Sequence, residues 1–556
     1  MWSYAQLSRR LFSSLLIAFA TGGACGVRGQ AISPLTIPDG RMSESDWSQS
    51  FRLPLQLPAP PIRSIYNSSR IAPLKAKIAR TQIFAAYREL ADLYLQLGRY
   101  DDAAATYRAE AVQYRKKGLT DAAVLDDIKA ARYETDVRLF VDRFALPQEL
   151  NTLYTGARAE PFVGCYVGAF IDRDDNLHQT FFDENWQLHR KPAEFAAVVG
   201  KPHGSYFMYL SYGQKFPSAW IQHCKDENVI PQIAWEPANL NQVQDNAYLR
   251  SFAEACGAMD WPIFIRYASE MNGYWTPYHN NPKLYRAKFR LINRVLHQYA
   301  PRVATIWCVN NPPLNNVQDY YPGDDGCDWV GVNLYSVPYY ENKPDRPAFL
   351  DSPLALLDPI YQMYARKKPI AVCEYGASHM AKLDRVLRND FAVNKMALMY
   401  GGLRCLYPRV KLIDWFDMDM FRYPRPGKTI NNHNLTEQAT VVQAYHWQVS
   451  SSYFLGEFQH LADQRPMLPR PIIANQPVGG RTRFSIWVKT YAARPKVYFK
   501  LGQKIIYASN QPGAHTFDVD MTRIPPGRQP LTAYIYDDRN HFITAVSTTV
   551  TVVQHG

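Results

Sequence analysis

The sequence predicts a (β/α)8 barrel with a small helical region before it and a small all-β sandwich after it. The main observation is that short apolar runs alternate with amphipathic helical patterns between residues 155 and 455, which is typical of repeated β/α units. The predicted strands are 162–171, 206–212, 229–235, 262–269, 303–309, 329–335, 369–373 and 410–416.

An open, doubly wound sheet is the alternative for this region. Such a sheet would normally carry a glycine-rich phosphate loop directly after its first strand. Gly164 and Gly168 instead lie within the first predicted strand. Eight strands over roughly 290 residues also fit the usual size of a closed barrel, about 250 residues. The barrel is therefore the favoured fold class.

The first 31 residues are predicted to be an export signal. Arg9 and Arg10 precede a ten-residue, mainly apolar stretch, Leu11 to Ala20, and then small residues, an arrangement that also resembles a twin-arginine signal. Ten residues are too few to span a bilayer, which takes about 20. We therefore expect a secreted or periplasmic protein with no stable membrane span. Cys25 leaves a lipid-anchored form open, although Gly22 stands where such a signal has leucine.

Residues 32–73 are rich in proline and serine and are predicted to form a linker. From 74 to 145 apolar residues recur three and four apart, which predicts helices, with a turn at Gly98 and a third helix over 121–143. The hairpin resembles a tetratricopeptide unit. One unit does not make a solenoid. The hairpin either docks on the barrel or binds a protein partner.

Residues 481–553 alternate apolar and polar side chains and carry recurrent turn signals, so a sandwich is predicted there. The stretch around Gly527 and Leu531 resembles the late strands of immunoglobulin-like modules that accompany secreted glycanases. A spacer role and a sugar-binding role both remain open.

Composition excludes several kinds of function. The net charge is +12, but there is no dense lysine and arginine tract, so we expect no nucleic-acid partner. The eight cysteines are scattered singly, which gives no support for a zinc site. Asp172, Asp174 and Asp175 follow the first strand. We interpret them as a solvated acidic loop rather than a calcium loop, and we expect no metal.

Two glutamates are the candidate catalytic residues. Glu270 follows the fourth predicted strand, and Glu374 ends the seventh. In a barrel these strand ends face each other across the mouth. A carboxyl pair about 5–5.5 Å apart suits retaining glycoside hydrolysis, with one group protonated and the other ionised. We predict Glu270 as acid/base and Glu374 as nucleophile, with no cofactor. Alternatively, Glu270 merely caps the next helix.

The sequence around these glutamates resembles glycoside hydrolase family 26. The pattern Arg266-x-x-x-Glu270-Met-Asn272-Gly273-x-Trp275-x-Pro277-Tyr278 is similar to that family's acid/base motif. Glu374-Tyr-Gly376 is similar to its nucleophile segment, and the run 329–335 to its sixth strand. The resemblance implies a barrel glycosidase of the β-mannanase type, in which Tyr335 contacts Glu374. One departure is Ser269, where mannanases of this family have histidine. It favours a divergent branch, acting on mannan or an exopolysaccharide.

Further residues are candidates for substrate binding, and each has an alternative structural role. Arg266 would orient a carboxylate or form a buried ion pair. Asn272 would donate to a sugar hydroxyl or make the local turn. Flat aromatic faces for sugar rings are predicted at Trp275, Tyr278, Trp415 and Trp235, with ordinary packing as the alternative. Glu236 is the weaker catalytic candidate.

Together these patterns predict an exported, retaining, endo-acting glycosidase that cleaves a β-linked polysaccharide. The alternative is a catalytically inactive polysaccharide-binding or scaffold protein of the cell envelope.

Overall fold

The computed structural model describes residues 69–424, 430–459 and 467–553. The predicted export signal, Cys25 and most of the predicted linker lie outside these ranges. No helix within them combines the length and the apolarity needed to cross a membrane.

Eight parallel strands close into a barrel, as predicted. The strands pair in chain order, and the last pairs with the first, with Leu412 opposite Tyr166 and Trp415 opposite Ala169. The barrel strands are β1 Cys165–Arg173, β2 Ser205–Ser211, β3 Ile230–Glu236, β4 Ile263–Tyr267, β5 Val303–Asn310, β6 Trp329–Ser336, β7 Ile370–Ala377 and β8 Val410–Met418. Near-continuous apolar runs form them because both faces of each strand are covered. The (β/α)8 prediction is confirmed.

Helices surround the barrel and bury one face against it. Several begin with a proline at the first helical position or with an asparagine cap, as in the helix that starts after Asn281. The helices are Pro147–Leu153, Pro192–Val199, Ser218–Asp226, Ala247–Ala258, Pro282–Tyr299, Val317–Tyr320, Pro353–Tyr364, Asn389–Leu406 and Ala439–Val449. Short strands at the barrel ends are Thr180–Phe182, Leu188–Arg190, Met380–Ala381, Asn431–Asn432 and Phe454–Leu455.

Four helices precede the barrel: Ile71–Thr81, Phe84–Gln96, Tyr100–Lys116 and Thr120–Tyr133. The first begins inside the predicted linker, at Ile71. The turn predicted at Gly98 is present, and its φ of +67° suits glycine. The predicted third helix is too long, because the structure ends it at Tyr133. A protein partner for these helices stays a prediction.

The residues beyond Tyr133 form a strand of the C-terminal sandwich instead. Asp136–Phe144 pairs antiparallel with both Met467–Pro471 and Arg481–Lys489. Leu139 and Val141 face the sandwich core, whereas Phe140 packs in the core cluster of the barrel. The sheet therefore lies between the barrel and the second sheet of the sandwich. The two sheets also contain Gln476–Val478, Lys496–Leu501, Lys504–Ser509, Gly513–Asp520, Gly527–Tyr536 and Phe542–Val552.

A hairpin formed by Thr180–Phe182 and Leu188–Arg190 follows β1 and is joined to it by a buried histidine. His189 Nδ1 lies 2.9 Å from Asp172 Oδ2, and Nε2 lies 3.5 Å from Asp183 Oδ2. Burial alone would lower the pKa of His189, but the two carboxylates outweigh it and raise the pKa to about 9. The imidazole is therefore charged at neutral pH.

We expect this charge to make the folded state less stable as the pH rises. An unfolded histidine has a pKa near 6.5, so the contribution of His189 is complete below about pH 6.5 and is lost as pH rises through about 9. Urea unfolding at pH 6 and pH 9 would compare wild type with His189→Gln. The difference in unfolding free energy between the two proteins should shrink by up to about 3 kcal/mol across this window. An unchanged difference would contradict the charged assignment. Buried lysines such as Lys395, whose pKa burial lowers to about 7, titrate equally in both proteins.

Candidate active site

Glu374 lies within β7 at an irregularity in the pairing with β6. Val372 pairs with Val332 and Glu374 with Asn333, so β7 carries one extra residue at this point. A bulge of this kind re-aims a side chain near a strand end. The glutamate is almost completely buried. Its carboxylate is therefore held at a fixed position at the C-terminal end of the barrel.

Two hydroxyl donors and one cation converge on the carboxylate of Glu374. Tyr209 OH donates to Oε1 at 2.6 Å, and Tyr335 OH donates to Oε2. Arg266 Nη2 lies 2.8 Å from Oε1 as an ion pair, although its N–H bonds do not align well with that oxygen. A cation and two hydroxyl donors stabilise the ionised form of a carboxylate. The arrangement suits a group that acts as an anion.

Arg266 is fully buried beneath the site and connects its parts. Its guanidinium lies over the ring of Phe207, 4.8 Å from the centroid. Its Nη1 donates to Asn333 Oδ1 at 3.2 Å, and Asn333 Nδ2 donates to Glu270 Oε1 at 2.9 Å. Glu270 and Glu374 therefore belong to one network, in which two hydrogen bonds and the Arg266–Glu374 ion pair link them.

Glu270 lies in the turn that follows β4, and its backbone conformation is unusual. Ala268 and Glu270 both have positive φ, +46° and +58°. Non-glycine residues in this region cost on the order of 1–3 kcal/mol each and concentrate at functional sites. The half-buried side chain accepts a hydrogen bond from Trp275 Nε1 at Oε2, 2.6 Å away. Both of these donors to Glu270, the Trp275 indole and the Asn333 amide, are neutral, whereas Glu374 faces the cation of Arg266.

A third carboxylate, Glu236, ends β3 beside Glu270. Its Oε1 accepts from Ser269 Oγ at 2.8 Å, and its Oε2 accepts from Tyr278 OH at 2.5 Å. Burial raises the pKa of Glu236, against the opposing effects of the Tyr278 hydroxyl and the Arg266 charge. Ser269, the residue that departs from the family 26 pattern, thus donates a hydrogen bond to Glu236.

A polar layer also lies inside the barrel below Arg266. Asp414 accepts from Gln232 Nε2 at 2.6 Å, and burial raises the pKa of Asp414 to about 8. A Cβ at position 168 would come within 1.9 Å of Asp414 Oδ1, so only glycine fits there. A carboxyl group that keeps its proton at pH 7 can fill this space without a second cation.

Several predicted substrate contacts are wrong. Trp235 is fully buried and stacks on Phe252, 4.1 Å between centroids, on the helix side of the barrel. Trp415 is also fully buried, with its indole donating to His433 O. Tyr278 is only 5% exposed and supports Glu236, so none of the three offers a face to a sugar.

Asn272 is likewise committed to the backbone. Its amide donates to Asn310 O and Pro313 O, and its Oδ1 accepts from Asn310 N at 2.9 Å. The turn-making alternative therefore describes it, rather than donation to a sugar. Of the predicted substrate-binding residues, the structure brings Arg266, Trp275 and Tyr335 to the two glutamates.

Sequence reasoning missed two residues that contact the glutamates, Tyr209 and Asn333. Alternation along β2 places Phe207 and Tyr209 on the same face, four and two residues before Ser211, and this pattern could have indicated Tyr209. Among the described residues, no cluster of three or more His, Cys, Asp or Glu side chains is placed to hold a metal ion. Asp174, which the calcium alternative needed, instead accepts from Asn434 and Thr436.

The chain was compared with known proteins. No family model matches it. It is 30% identical to a β-1,3-xylanase from Alcaligenes sp. over 105 residues, which is 18% of this chain and 22% of that protein. It is 29% identical to β-1,3-xylanase TXYA from Vibrio sp. over 108 residues, again 18% of this chain and 23% of the relative. The matches thus span less than a quarter of the length of these relatives.

Among solved structures, the modular endo-β-1,4-mannanase from Cellulomonas fimi aligns over 73% of this chain and 97% of its own, with 15% identity and a TM-score of 0.39. Identity and score at this level add nothing to the barrel assignment, which rests on the strand pairing of the chain itself.

Proposed function

We propose that the chain is an exported, retaining glycoside hydrolase that cleaves a β-linked polysaccharide. The observation that carries the proposal is the convergence of Glu270 and Glu374 on one network at the mouth of a barrel, with different donors on each carboxyl group. Two carboxyl groups in unlike surroundings are what double displacement at a sugar requires. The short similarity to β-1,3-xylanases adds support for a polysaccharide substrate.

In the first step, a carboxylate oxygen of Glu374 attacks the anomeric carbon. The bond from that carbon to the glycosidic oxygen breaks, and Glu270 gives its proton to the departing oxygen. The cation of Arg266 and the hydroxyls of Tyr209 and Tyr335 keep Glu374 ionised and aimed before the attack. A glycosyl ester of Glu374 results.

In the second step, Glu270 is a carboxylate and takes a proton from water. The water oxygen bonds to the anomeric carbon, and the ester bond to Glu374 breaks, which restores both glutamates. The indole of Trp275 and the amide of Asn333 hold Glu270 in place through both steps. Two inversions at one carbon leave the anomeric configuration unchanged. The mechanism requires no cofactor.

The proposal is tested on a panel of polysaccharides. The panel should include β-1,3-xylan, β-1,4-mannan and acidic and neutral bacterial exopolysaccharides, because Ser269 replaces the histidine of typical mannanases. We expect new reducing ends from at least one polymer. Proton NMR during the first minutes should show β-anomeric product before mutarotation. Retardation in polysaccharide gels without any released ends would favour the inactive binding protein instead, and α-anomeric product would contradict the retaining mechanism.

A further inference from the structure

The hairpin at residues 180–190 carries an exposed aromatic patch. Trp186 is 84% exposed, whereas every other tryptophan of the described residues is buried or half-buried. Phe182 is 56% exposed, and its ring centroid lies 6.3 Å from that of Trp186. Leaving such rings in water forgoes the free energy that burial would supply. An exposed apolar patch of this kind marks an interaction surface.

The tip of the hairpin is held rigidly, so the patch is a formed surface. Asp183 Oδ1 accepts from the backbone N–H groups of Asn185 and Gln187, at 2.8 and 2.9 Å. Asn185 exchanges two hydrogen bonds with the backbone of Lys215, at 2.9 and 3.0 Å. Trp186 itself has a φ of +58°. A surface fixed in advance loses little conformational entropy when it binds.

The patch lies at the same end of the barrel as the two glutamates. The hairpin follows β1, and its tip is bonded to Lys215, in the loop that leaves the C-terminal end of β2. On β2, Tyr209 donates to Glu374. Tyr209, which contacts the predicted nucleophile, and Lys215, which holds the hairpin tip beside Trp186, are therefore only six residues apart in the chain.

We propose that Trp186 and Phe182 form a stacking subsite for a pyranose ring remote from the bond that is cut. This inference rests on the proposed function and deepens it, because it requires a substrate several sugars long. The apolar C–H faces of a pyranose match a flat indole, which offers the largest aromatic face. The carboxyl groups nearby, Asp183 and Glu184, are committed to the hairpin and to Ala219 N, which leaves the rings as the free recognition surface.

The experiment compares Trp186→Ala and Phe182→Ala with Phe144→Ala, which removes from the sandwich a ring about as exposed, at 58%, as that of Phe182. Each protein is assayed on the polysaccharide that wild type cleaves best and on an aryl β-glycoside of the same sugar. For Trp186→Ala we expect kcat/KM on the polymer to fall about 10-fold, with the aryl glycoside unchanged within about twofold. Phe144→Ala should match wild type on both. Equal losses on both substrates, or no loss on the polymer, would overturn the subsite.

Binding separates this inference from the hydrolase proposal. Each substitution is repeated in a Glu374→Gln background, which keeps an acceptor oxygen for the buried Arg266, and run in gels that contain the panel polysaccharides. Retardation that weakens with Trp186→Ala supports the subsite even if wild type releases no reducing ends. Retardation that is unchanged, or absent for the whole panel, overturns it. A wild-type dimer in solution that dissociates on Trp186→Ala would also overturn it, in favour of contact between two copies.

Discussion

We expect Glu374→Ala to lose polysaccharide hydrolysis by about 10⁴-fold or more, since the covalent route then has no nucleophile. The measurement is the initial rate of reducing-end release on the best polymer of the panel. Sodium azide should restore turnover, because a small anion fits where the carboxylate was. The product should be an α-glycosyl azide by NMR, because a single displacement inverts the anomeric carbon.

The control for this variant concerns folding. Removing the carboxylate leaves the buried guanidinium of Arg266 without its anion, which can cost about 3–5 kcal/mol. Glu374→Gln keeps an acceptor oxygen for Arg266, Tyr209 and Tyr335 and should be similarly inactive with a thermal midpoint nearer to wild type. A well-folded variant that keeps more than a hundredth of the activity would rule Glu374 out as nucleophile.

For Glu270→Ala we expect a different pattern that identifies the acid. Hydrolysis of the polymer should fall by about 10²–10⁴-fold, because the sugar oxygen cannot depart without a proton. A 2,4-dinitrophenyl glycoside has a leaving group that needs no proton, so its first step should survive and show a burst followed by slow turnover. Azide should accelerate the slow phase and give a β-glycosyl azide, since two displacements still occur at the anomeric carbon.

Glu236→Gln is the comparison variant, because it alters the third glutamate at the mouth, which lies beside Glu270. Its hydrogen bonds to Ser269 and Tyr278 give it a supporting place, so we expect a smaller loss without selectivity for the dinitrophenyl substrate. The reverse pattern, with selectivity in Glu236→Gln and none in Glu270→Ala, would transfer the acid role to Glu236.

The barrel could be predicted because its strands are marked locally. Each is a short apolar run followed by a helix, and all eight predicted runs overlap observed strands. The two glutamates could be found because a carboxylate at the end of a buried strand conflicts with the apolar pattern before it. Their partners were harder, since Asn333 and Tyr209 gain significance only when β6 and β2 are placed around the barrel.

The errors at Trp235 and Trp415 come from neglecting alternation. Glu236 reaches the mouth, so Trp235, one residue earlier, must point away from it, and Asp414 inside the barrel likewise turns Trp415 outward. The strand Asp136–Phe144 was not predicted from the sequence for another reason. Its partners lie beyond the barrel in sequence, and no local pattern announces pairing at that distance.

The strand Asp136–Phe144 precedes the barrel in sequence but pairs with strands that follow it. Asp136–Phe144 is enclosed between Met467–Pro471 and Arg481–Lys489, so the sandwich sheet cannot be completed until the ribosome has made the entire barrel. Strands separated by more than 300 residues pair slowly, so both edges of Asp136–Phe144 stay unpaired in the nascent protein until synthesis passes the barrel. Expressing residues 155–455 alone would remove this sheet and expose the barrel surface against which Phe140 packs, so the isolated barrel should aggregate more readily than the 556-residue chain.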